Sequence, residues 1–548
     1  MSLFDKHQPQ LQRAIKAIQE RQFYAAYPEH PKAYGEEAPK QGEDRFKNLL
    51  NQNVQNNFQG EADSHEGEEV SPYTQQPLGI KYPVYKTSHL ITKSEAAFKT
   101  WRKTSAEDRA GVLIESLEKI KDHFFDIAYA TMHTTGQSFM MSFQASGPHS
   151  NDRALEPIAL AYQELKRFPS KVLWEKPMGK ISVKLEKSYT AVPRGIGLTI
   201  GCATFPIWNT VPGIFANLMA GNTVIIKPSS KSILPLAILV SCMQNTLHEN
   251  GFDPCTIQLA IVSNHLAVKQ LMEDDRIKLI DYTGSSSFGD YIESLPNKIT
   301  FTEKAGLNSV ILDSVDDLDA VIGNLAFSVS LYSGQMCTAP QNFFIPATGV
   351  KSKDKTFTYE EVVEKLKEHL TAIATNPKTG TNVLGGLLEG TVKRIFEVMK
   401  SGKVILQPAD VKSEEFANIR SSSPLLLEVS QNDHAIFEQE MFGPIAVVIK
   451  TNDTKESVRL AKEMAGKHGA ITCAAYTTDQ DTRNLIAEEM QEVFTPVTFN
   501  LTGPIWVNQH AAFSDFHVTG GNKAGNASFT NPEFVIKRFV WVGNRSMV

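Results

Sequence analysis

Cys337 is the residue of this chain best suited to covalent chemistry. It follows Gly334 and Gln335 and has no apolar run around it, whereas most of the other cysteines lie in apolar surroundings. A cysteine that has lost its proton is a strong nucleophile, and a positioned carboxylate can activate the water that releases an acyl group from sulfur. Glu303 lies 34 positions before Cys337. The pair predicts acyl chemistry on an aldehyde or an ester; the alternative is that Cys337 is a small buried hydrophobe.

Two further motifs follow apolar runs that we interpret as buried strands. Lys227 ends one run, and a cation at the carboxyl end of a parallel strand lies where open α/β sheets bind ligands. The turn Thr283-Gly284-Ser285 follows another and could open a helix whose free amides face a phosphate. Alternatively, Lys227 points into water and the Thr283-Gly284-Ser285 turn connects two elements without binding a ligand. The dinucleotide fingerprint Gly-x-Gly-x-x-Gly is absent.

Composition restricts the class of protein. A chain of 548 residues exceeds what one core usually supports, and 41% hydrophobic with 21% charged residues is typical of a globular enzyme. A net charge of -6 gives no electrostatic reason to expect nucleic acid. Five cysteines without a Cys-x-x-Cys pair argue against a disulfide framework or a structural zinc, and the chain has neither an apolar signal core nor a membrane-length apolar run. We expect a cytoplasmic protein without metal or membrane contact.

The order of predicted elements indicates an α/β fold. Residues 1–85 are polar and predict a partly helical extension draped on a body. Ser105 predicts a helix start, and from residue 195 short apolar runs alternate with helical ones, which calls for parallel sheets covered on both faces. Strands are predicted at 196–201, 223–227, 257–262, 277–282, 309–312, 445–449, 470–476 and 534–542. Helices are predicted at 233–248, 265–274, 359–374 and, as a long helix, around Cys337.

Five sequence blocks, in this order, resemble the aldehyde dehydrogenase superfamily over roughly residues 85 to 548. They are Ala220-Gly221-Asn222-Thr223-Val224 with Lys227-Pro228, Thr283-Gly284-Ser285, Glu303-Lys304-Ala305-Gly306, Gly334-Gln335-Met336-Cys337 and Glu440-Met441-Phe442-Gly443-Pro444. The resemblance implies two doubly wound α/β domains plus a β oligomerisation arm. The expected division is an extension at 1–85, a dinucleotide-binding domain at 86–304 with the arm near 172–192, a catalytic domain at 305–495 and a C-terminal segment at 496–548.

The resemblance also implies roles for individual residues. Cys337 matches the nucleophile that forms a thiohemiacetal with an aldehyde, and Glu303 matches the base whose water hydrolyses the thioester to a free acid. The cofactor-binding positions implied are Phe205, Lys227, Ser229, Ser230, Thr283, Gly284, Ser285, Gly306, Glu440 and Phe442. Relatives that pass the acyl group to coenzyme A commonly lack this carboxylate. A coenzyme A-acylating enzyme and a non-catalytic scaffold are the alternatives.

Two positions depart from the family pattern. Thr204 stands where the family has its oxyanion asparagine, while Asn209 lies five residues further on and is the alternative donor. Ser230, three residues after Lys227, stands where NAD-preferring relatives often carry a glutamate, and Lys231 adds a cation. Serine at this position removes a negative charge that would repel the 2′-phosphate of NADP. We therefore expect NADP as the cofactor, with NAD as the alternative.

A narrower resemblance is to the phenylacetic acid degradation branch of the superfamily. It depends on Gly201-Cys202-Ala203-Thr204-Phe205-Pro206, on Asn500-Leu501-Thr502-Gly503-Pro504 and on residues 507–517. It implies a ring-opened semialdehyde carried as a coenzyme A thioester, and a stand-alone form, since the chain ends at Val548. His510, Phe513, Phe516 and His517 are candidate tunnel residues, or alternatively core residues. The C-terminal apolar strand predicts a homodimer or homotetramer.

Overall fold

A computed structural model describes residues 1–262, 264–376, 380–503, 512–513, 520–526 and 531–548. Its α-helices, in chain order, are α1 Leu3–Glu20, α2 Ala38–Leu49, α3 Thr87–Trp101, α4 Ala106–Lys121, α5 Phe124–Thr135, α6 Phe139–Ser146, α7 Pro148–Leu165, α8 Val211–Met219, α9 Leu234–Glu249, α10 His265–Glu273, α11 Ser286–Glu293, α12 Leu318–Ser330, α13 Tyr359–Thr375, α14 Gly380–Leu384, α15 Glu389–Val398, α16 His434–Phe437, α17 Thr454–His468, α18 Gln480–Glu492 and α19 Glu533–Ile536.

The strands, in chain order, are β1 Ser64–Glu66, β2 Tyr82–Val84, β3 Lys171–Met178, β4 Ile181–Pro193, β5 Ile196–Ile200, β6 Thr223–Lys227, β7 Ile257–Leu259, β8 Ile277–Thr283, β9 Ile299–Glu303, β10 Ser309–Leu312, β11 Asn342–Pro346, β12 Val350–Lys351, β13 Thr356–Phe357, β14 Lys403–Leu406, β15 Leu425–Ser430, β16 Ile445–Thr451, β17 Cys473–Tyr476, β18 Val497–Phe499 and β19 Phe539–Met547.

The first large sheet is parallel and has the strand order β7-β6-β5-β8-β9. Its strands are nearly all apolar and buried, because helices cover both faces of such a sheet. The chain leaves β5 in one direction and returns to β8 on the other side, so the strand order reverses between them. Ligands bind outside the carboxyl ends of the strands at such a reversal. The segment after β5, the end of β8 and the end of β9 all lie at this edge.

The second large sheet has the order β14-β15-β16-β11-β10-β17-β18. All neighbours are parallel except the edge pair β14 and β15. Apolar side chains fill both faces, packing against α12 and α13 on one side and α17 on the other. The predicted α/β class with two doubly wound parts is confirmed, with the correction that this second sheet is mixed.

A three-stranded antiparallel arm has the order β19-β4-β3. The predicted β arm is confirmed, and its strands β3 and β4 span Lys171–Met178 and Ile181–Pro193. The strand predicted at 534–542 is wrong in its first half, where Glu533–Ile536 form a short helix and the strand begins only at Phe539. Phe534 and Val535 are buried by this helix, which is why their apolar character resembled that of a strand.

The N-terminal extension packs more deeply than a draped segment would. Leu11 and Ala14 of α1 and Phe46 of α2 are buried in the same apolar cluster as helices α4 to α9. Among the described residues, no helix is both long and apolar enough to cross a membrane.

A buried ion pair joins the C-terminal arm to the first sheet. Arg538 is fully buried, and its guanidinium donates to both Asp281 oxygens at 2.8 and 2.6 Å. Asn217 donates to the same carboxylate at 2.9 Å, and Phe301 lies against the guanidinium at 3.8 Å. Because Asp281 lies in β8, the arm strand that follows Arg538 is fixed to the sheet that carries the switch point.

We predict that Arg538→Ala lowers the free energy of unfolding by roughly 3 to 5 kcal/mol, because it leaves Asp281 buried without its cation. Lys537→Ala is the control, since Lys537 makes an exposed i,i+4 pair with Glu533, and its loss should change stability by less than about 0.5 kcal/mol. Urea unfolding followed by circular dichroism measures both. Equal effects of the two substitutions would contradict the role given to the buried pair.

Candidate active site

A cavity of about 600 Å³ lies beyond the carboxyl ends of β5, β8 and β9, between the two large sheets. It brings together nine of the predicted site residues: Thr204, Phe205, Thr283, Gly284, Ser285, Glu303, Cys337, Glu440 and Phe442. The predicted residues Lys227, Ser229, Ser230 and Gly306 do not line it. Residues far apart in the chain thus share one space at the switch point of the first sheet.

Cys337 lies in a loop rather than in the long helix expected from the sequence. Helix α12 ends at Ser330, and Tyr332 and Ser333 then adopt φ of 49° and 51°. These left-handed conformations end the helix and turn the chain toward the cavity. Tyr332 Oη donates to the Thr135 carbonyl at 2.7 Å, which holds the turn against α5.

Gly334 makes the turn possible. Its φ is 60°, and a Cβ at this position would lie 2.3 Å from the Gly443 carbonyl oxygen. Only glycine satisfies both conditions. Three residues before Cys337, the loop that carries the nucleophile is thus packed directly on the loop that carries Glu440.

Buried amide side chains hold the nucleophile loop on either side of Cys337. Gln335 donates to the Gly386 carbonyl at 3.0 Å and accepts from the Thr391 hydroxyl at 3.1 Å. Asn308 donates to the Cys337 carbonyl at 2.8 Å and to the Ala339 carbonyl at 3.0 Å. With its backbone held at both ends, Cys337 presents its thiol from a fixed position.

The thiol of Cys337 faces the carboxylate of Glu303. Burial raises the pKa of Cys337 well above its usual range, and the negative charge of Glu303 and a hydrogen bond from the thiol to this carboxylate raise it further. Glu303 is only 3% exposed. The raised pKa favours a neutral thiol, which donates its proton in a hydrogen bond to the Glu303 carboxylate.

The two candidate oxyanion donors, Thr204 and Asn209, both line the cavity. The Thr204 hydroxyl contacts the sulfur of Cys202, a second thiol in the cavity, whose pKa burial raises to about 11. Asn209 is 8% exposed, and its Nδ2 donates to Glu303 Oε2 at 3.3 Å. Asn209 is therefore nearer to the catalytic pair than its place in the sequence indicated.

The end of β8 is suited to a phosphate. Ser285 precedes α11 as its N-cap, and its side chain makes no capping hydrogen bond. The first amides of the eight-residue helix thus lie at the cavity wall formed by Thr283, Gly284 and Ser285. The positive end of a helix dipole and free backbone amides together favour a pyrophosphate at this position.

Lys227 ends β6 just outside this cavity. Burial lowers the pKa of its ammonium group, and among the described residues no carboxylate offsets this effect. A half-buried cation of this kind at a strand end fits a ligand with hydroxyl or phosphate oxygens.

Glu440 occupies the opposite wall. Burial raises its pKa to about 7, and the negative charge of Glu303 acts in the same direction. The Gly306 amide donates to its carboxylate, and this contact and the charge of Arg394 lower the pKa, but less. Arg394 is itself held by the Phe442 carbonyl at 2.5 Å. Gly306 therefore does not line the cavity but hydrogen-bonds, through its amide, the Glu440 carboxylate that does.

The remaining predicted residues form the turn after β6. Ser229 Oγ accepts from the Lys231 amide at 3.3 Å, and Ser230 lines a separate cleft of about 20 Å³ next to the main cavity. Lys231 itself lines the main cavity.

Sequence reasoning missed one wall of the cavity. It consists of Glu68, Val70, Leu388, Glu389, Gly390, Lys393 and Arg420. Glu68 belongs to the N-terminal extension and Arg420 to an irregular segment before β15, so no local pattern marks either of them.

The C-terminal tunnel candidates are only partly described. His510, Phe516 and His517 lie outside the described residues. Phe513 is 1% exposed and packs on Tyr24, with ring centroids 5.2 Å apart. Its surroundings favour the alternative that it is a core aromatic.

Comparisons with known proteins agree with this geometry. A family model described as the aldehyde dehydrogenase family matches residues 59–540. A crystal structure of an NAD-dependent aldehyde dehydrogenase from Burkholderia multivorans is 41% identical, has a TM-score of 0.98, and matches 100% of this chain and 99% of that chain. The aldehyde dehydrogenase [NAD(P)+] 2 of Saccharomyces cerevisiae is 24% identical over 506 residues, 87% of this chain and 92% of the yeast protein. The 2,5-dioxopentanoate dehydrogenase of Saccharolobus solfataricus is 25% identical over 445 residues, 75% of this chain and 85% of that protein.

We predict that Glu303→Gln makes Cys337 more reactive in the protein without cofactor. Loss of the carboxylate charge lowers the pKa of the thiol, so a larger fraction is thiolate at pH 8, and alkylation by iodoacetamide should accelerate by about tenfold for each unit of pKa. Peptide mapping by mass spectrometry follows Cys337 separately from Cys202.

Glu364→Gln removes an exposed carboxylate from α13 and serves as the control with the same change of net charge. Its alkylation rate should match the wild type. An unchanged or slower rate in Glu303→Gln would show that Glu303 does not set the protonation of Cys337.

Proposed function

Because this chain belongs to the aldehyde dehydrogenase family, whose reaction is the NAD(P)-dependent oxidation of aldehydes, we propose that Cys337 and Glu303 carry out this reaction and release a free carboxylic acid. The observation that carries the proposal is the contact between the Cys337 thiol and the Glu303 carboxylate in a cavity that reaches the amides before α11. A thiol with its own base and a neighbouring anion site is what covalent aldehyde oxidation requires.

The first half of the reaction begins with the thiol proton. Glu303 accepts it, and the sulfur of Cys337 attacks the carbonyl carbon, which forms a C–S bond and a thiohemiacetal. When bound, a nicotinamide cofactor would supply a positive charge near the thiolate and an acceptor for the hydride that leaves this carbon. A thioester on Cys337 results.

The second half uses the same carboxylate again, after it has released the thiol proton to solvent. Glu303 takes a proton from water, the water oxygen attacks the thioester carbon, and the C–S bond breaks to return the sulfur of Cys337. The products are the acid and a proton. A coenzyme A-acylating reaction would need no such base, so Glu303 beside the sulfur favours hydrolysis.

The oxyanion that precedes each bond cleavage needs a hydrogen-bond donor. The family register assigns this role to Thr204, and we keep it as the proposed donor. Asn209 is the alternative, supported by its amide 3.3 Å from Glu303.

The residues present fit a nicotinamide dinucleotide. Lys227 would hold an adenosine ribose, the amides at the start of α11 the pyrophosphate, and Glu440 a nicotinamide ribose. Ser230 removes the carboxylate that would repel a 2′-phosphate, which supports NADP. The Burkholderia relative is NAD-dependent by its name, so NAD stays the alternative.

The substrate and the assembly are proposed from the sequence. We propose a ring-cleavage semialdehyde, carried as a coenzyme A thioester, because of the motifs around Thr204 and residues 500–517. Exposed apolar residues on the arm, among them Trp174, Ile181 and Val542, support association of two or four copies. The domain division and the cytoplasmic location likewise stay proposals.

We predict that Cys337→Ala abolishes turnover but still binds NADP and NAD, because it removes the nucleophile without touching the parallel sheet. Glu303→Gln should give one rapid burst of reduced cofactor followed by slow release, because loss of the carboxylate charge lowers the pKa of the Cys337 thiol and still lets the thioester form, whereas no carboxylate is left to activate water. Stopped-flow absorbance with NADP and NAD over aliphatic, aromatic and coenzyme A-linked aldehydes, with and without free coenzyme A, measures both variants. Turnover of Cys337→Ala above about a hundredth of wild type would refute the nucleophile.

We predict that Thr204→Val lowers kcat roughly ten- to a thousandfold with little change in cofactor affinity, the range for loss of one oxyanion donor. Asn209→Ala provides the comparison. If Thr204→Val is nearly neutral and Asn209→Ala is severely impaired, Asn209 is the donor and the family register does not apply here.

A further inference from the structure

Residues 66–70, here called the acidic segment, are the part of the N-terminal extension that reaches the cofactor side of the cavity. Glu66, Gly67 and Glu68 line the small cleft together with Ser230, and Glu68 also lines the main cavity together with Lys231. Glu68 is thus common to both spaces. The reaction proposed above assigns no role to this residue.

The acidic segment is held in place by its neighbour Glu69. The Glu69 carboxylate is 3% exposed and accepts from the amides of Ile233 and Leu234, at 2.5 and 3.0 Å, at the start of α9. The hydroxyl of Tyr82 donates to its other oxygen. Because α9 follows directly on the turn after Lys227, this contact ties the acidic segment to that turn.

Gly67 fixes the other side of the segment. A Cβ at Gly67 would lie 2.0 Å from the Ile80 carbonyl oxygen, so only glycine allows the two chains to approach this closely. Lys81 Nζ donates to the Gly67 carbonyl at 2.8 Å, and β1 pairs with β2 immediately before. Glu68 therefore lies between two anchored residues, in a backbone position that does not depend on a ligand.

The charged side chains around Ser230 would act on the 2′-phosphate of NADP in opposite directions. Lys227 and Lys231 would attract a 2′-phosphate, which carries close to two negative charges at neutral pH, whereas Glu68 would repel it. A ribose without the 2′-phosphate would instead be favoured by Glu68, since a carboxylate accepts hydrogen bonds from hydroxyl groups. NAD-preferring relatives often carry a glutamate three positions after the lysine, where this chain has Ser230. Glu66 and Glu68, from another part of the chain, line the same cleft, and Glu68 also lines the main cavity.

We propose that Glu68 is a specificity-determining residue that disfavours the 2′-phosphate of NADP and thereby offsets the serine at position 230. This inference depends on the proposed function, because it takes the cleft beside Ser230 as the adenosine-ribose end of the cofactor site. Cofactor preference is then set jointly by two distant parts of the chain.

The test is cofactor binding to full-length Cys337→Ala protein, which cannot turn over. Dissociation constants for NADP and NAD are measured by calorimetry in this parent and after adding Glu68→Gln. We expect Glu68→Gln to tighten NADP about threefold or more while NAD changes by less than about twofold or weakens. The gain should shrink between about 0.05 and 0.5 M salt, because it is electrostatic.

Glu61→Gln is the matched control, since Glu61 is exposed in the same extension and lines neither space. It should leave both constants unchanged. An unchanged NADP to NAD ratio in Glu68→Gln, or an equal gain in Glu61→Gln, would overturn the inference alone. Failure of the Cys337→Ala parent to bind either cofactor would instead refute the proposed function.

Discussion

The site depends on one interaction, the hydrogen bond between the Cys337 thiol and the buried Glu303 carboxylate. Glu303 ends β9 of the first sheet, and Cys337 lies in a loop of the second. Neither sheet holds both groups. The Tyr332 hydroxyl, which donates to the Thr135 carbonyl, and the Gly386 amide, which donates to the Gly136 carbonyl, join the second part to helix α5 and the turn after it in the first part.

The electrostatics of the cavity prepare it for a cationic cofactor. Cys337 and Glu440 both have raised pKa values, because burial and the charge of Glu303 disfavour further negative charge. A positively charged ring bound in this cavity would counteract the effect, and both groups would then ionise more readily. Under the proposed function, the thiol would become a nucleophile chiefly with the cofactor in place, which would limit its side reactions in the free protein.

The sequence predicted the parts of the fold that follow local rules. The parallel strands of the first sheet were found because buried strands are continuous apolar runs, and the Ser105 helix start because its hydroxyl accepts from the Asp108 amide. The long helix through Cys337 was wrong, since the left-handed conformations of Tyr332 and Ser333 depend on contacts with α5 and α14 that no short pattern encodes.

In the candidate site, too, features set by local sequence were predicted and those set by long-range contacts were not. Cys337 and Glu303 were identified by residue type and order, whereas the contact of Asn209 with Glu303 depends on how the segment after β5 folds back. Glu68 could not be predicted at all, because its proximity to Ser230 arises from the long-range cap that Glu69 gives to α9. Contacts between segments distant in the chain decide such positions, and a single sequence does not record them.

The central claim is that a thioester forms on Cys337 and waits for Glu303 to activate water. The most direct measurement is mass spectrometry of Glu303→Gln protein, mixed with aldehyde and NADP or NAD and stopped in acid during slow turnover. The account predicts one acyl group per chain, located on the Cys337 peptide and absent when cofactor is omitted. An acyl group on another residue, or unmodified Cys337 while reduced cofactor accumulates, would contradict it.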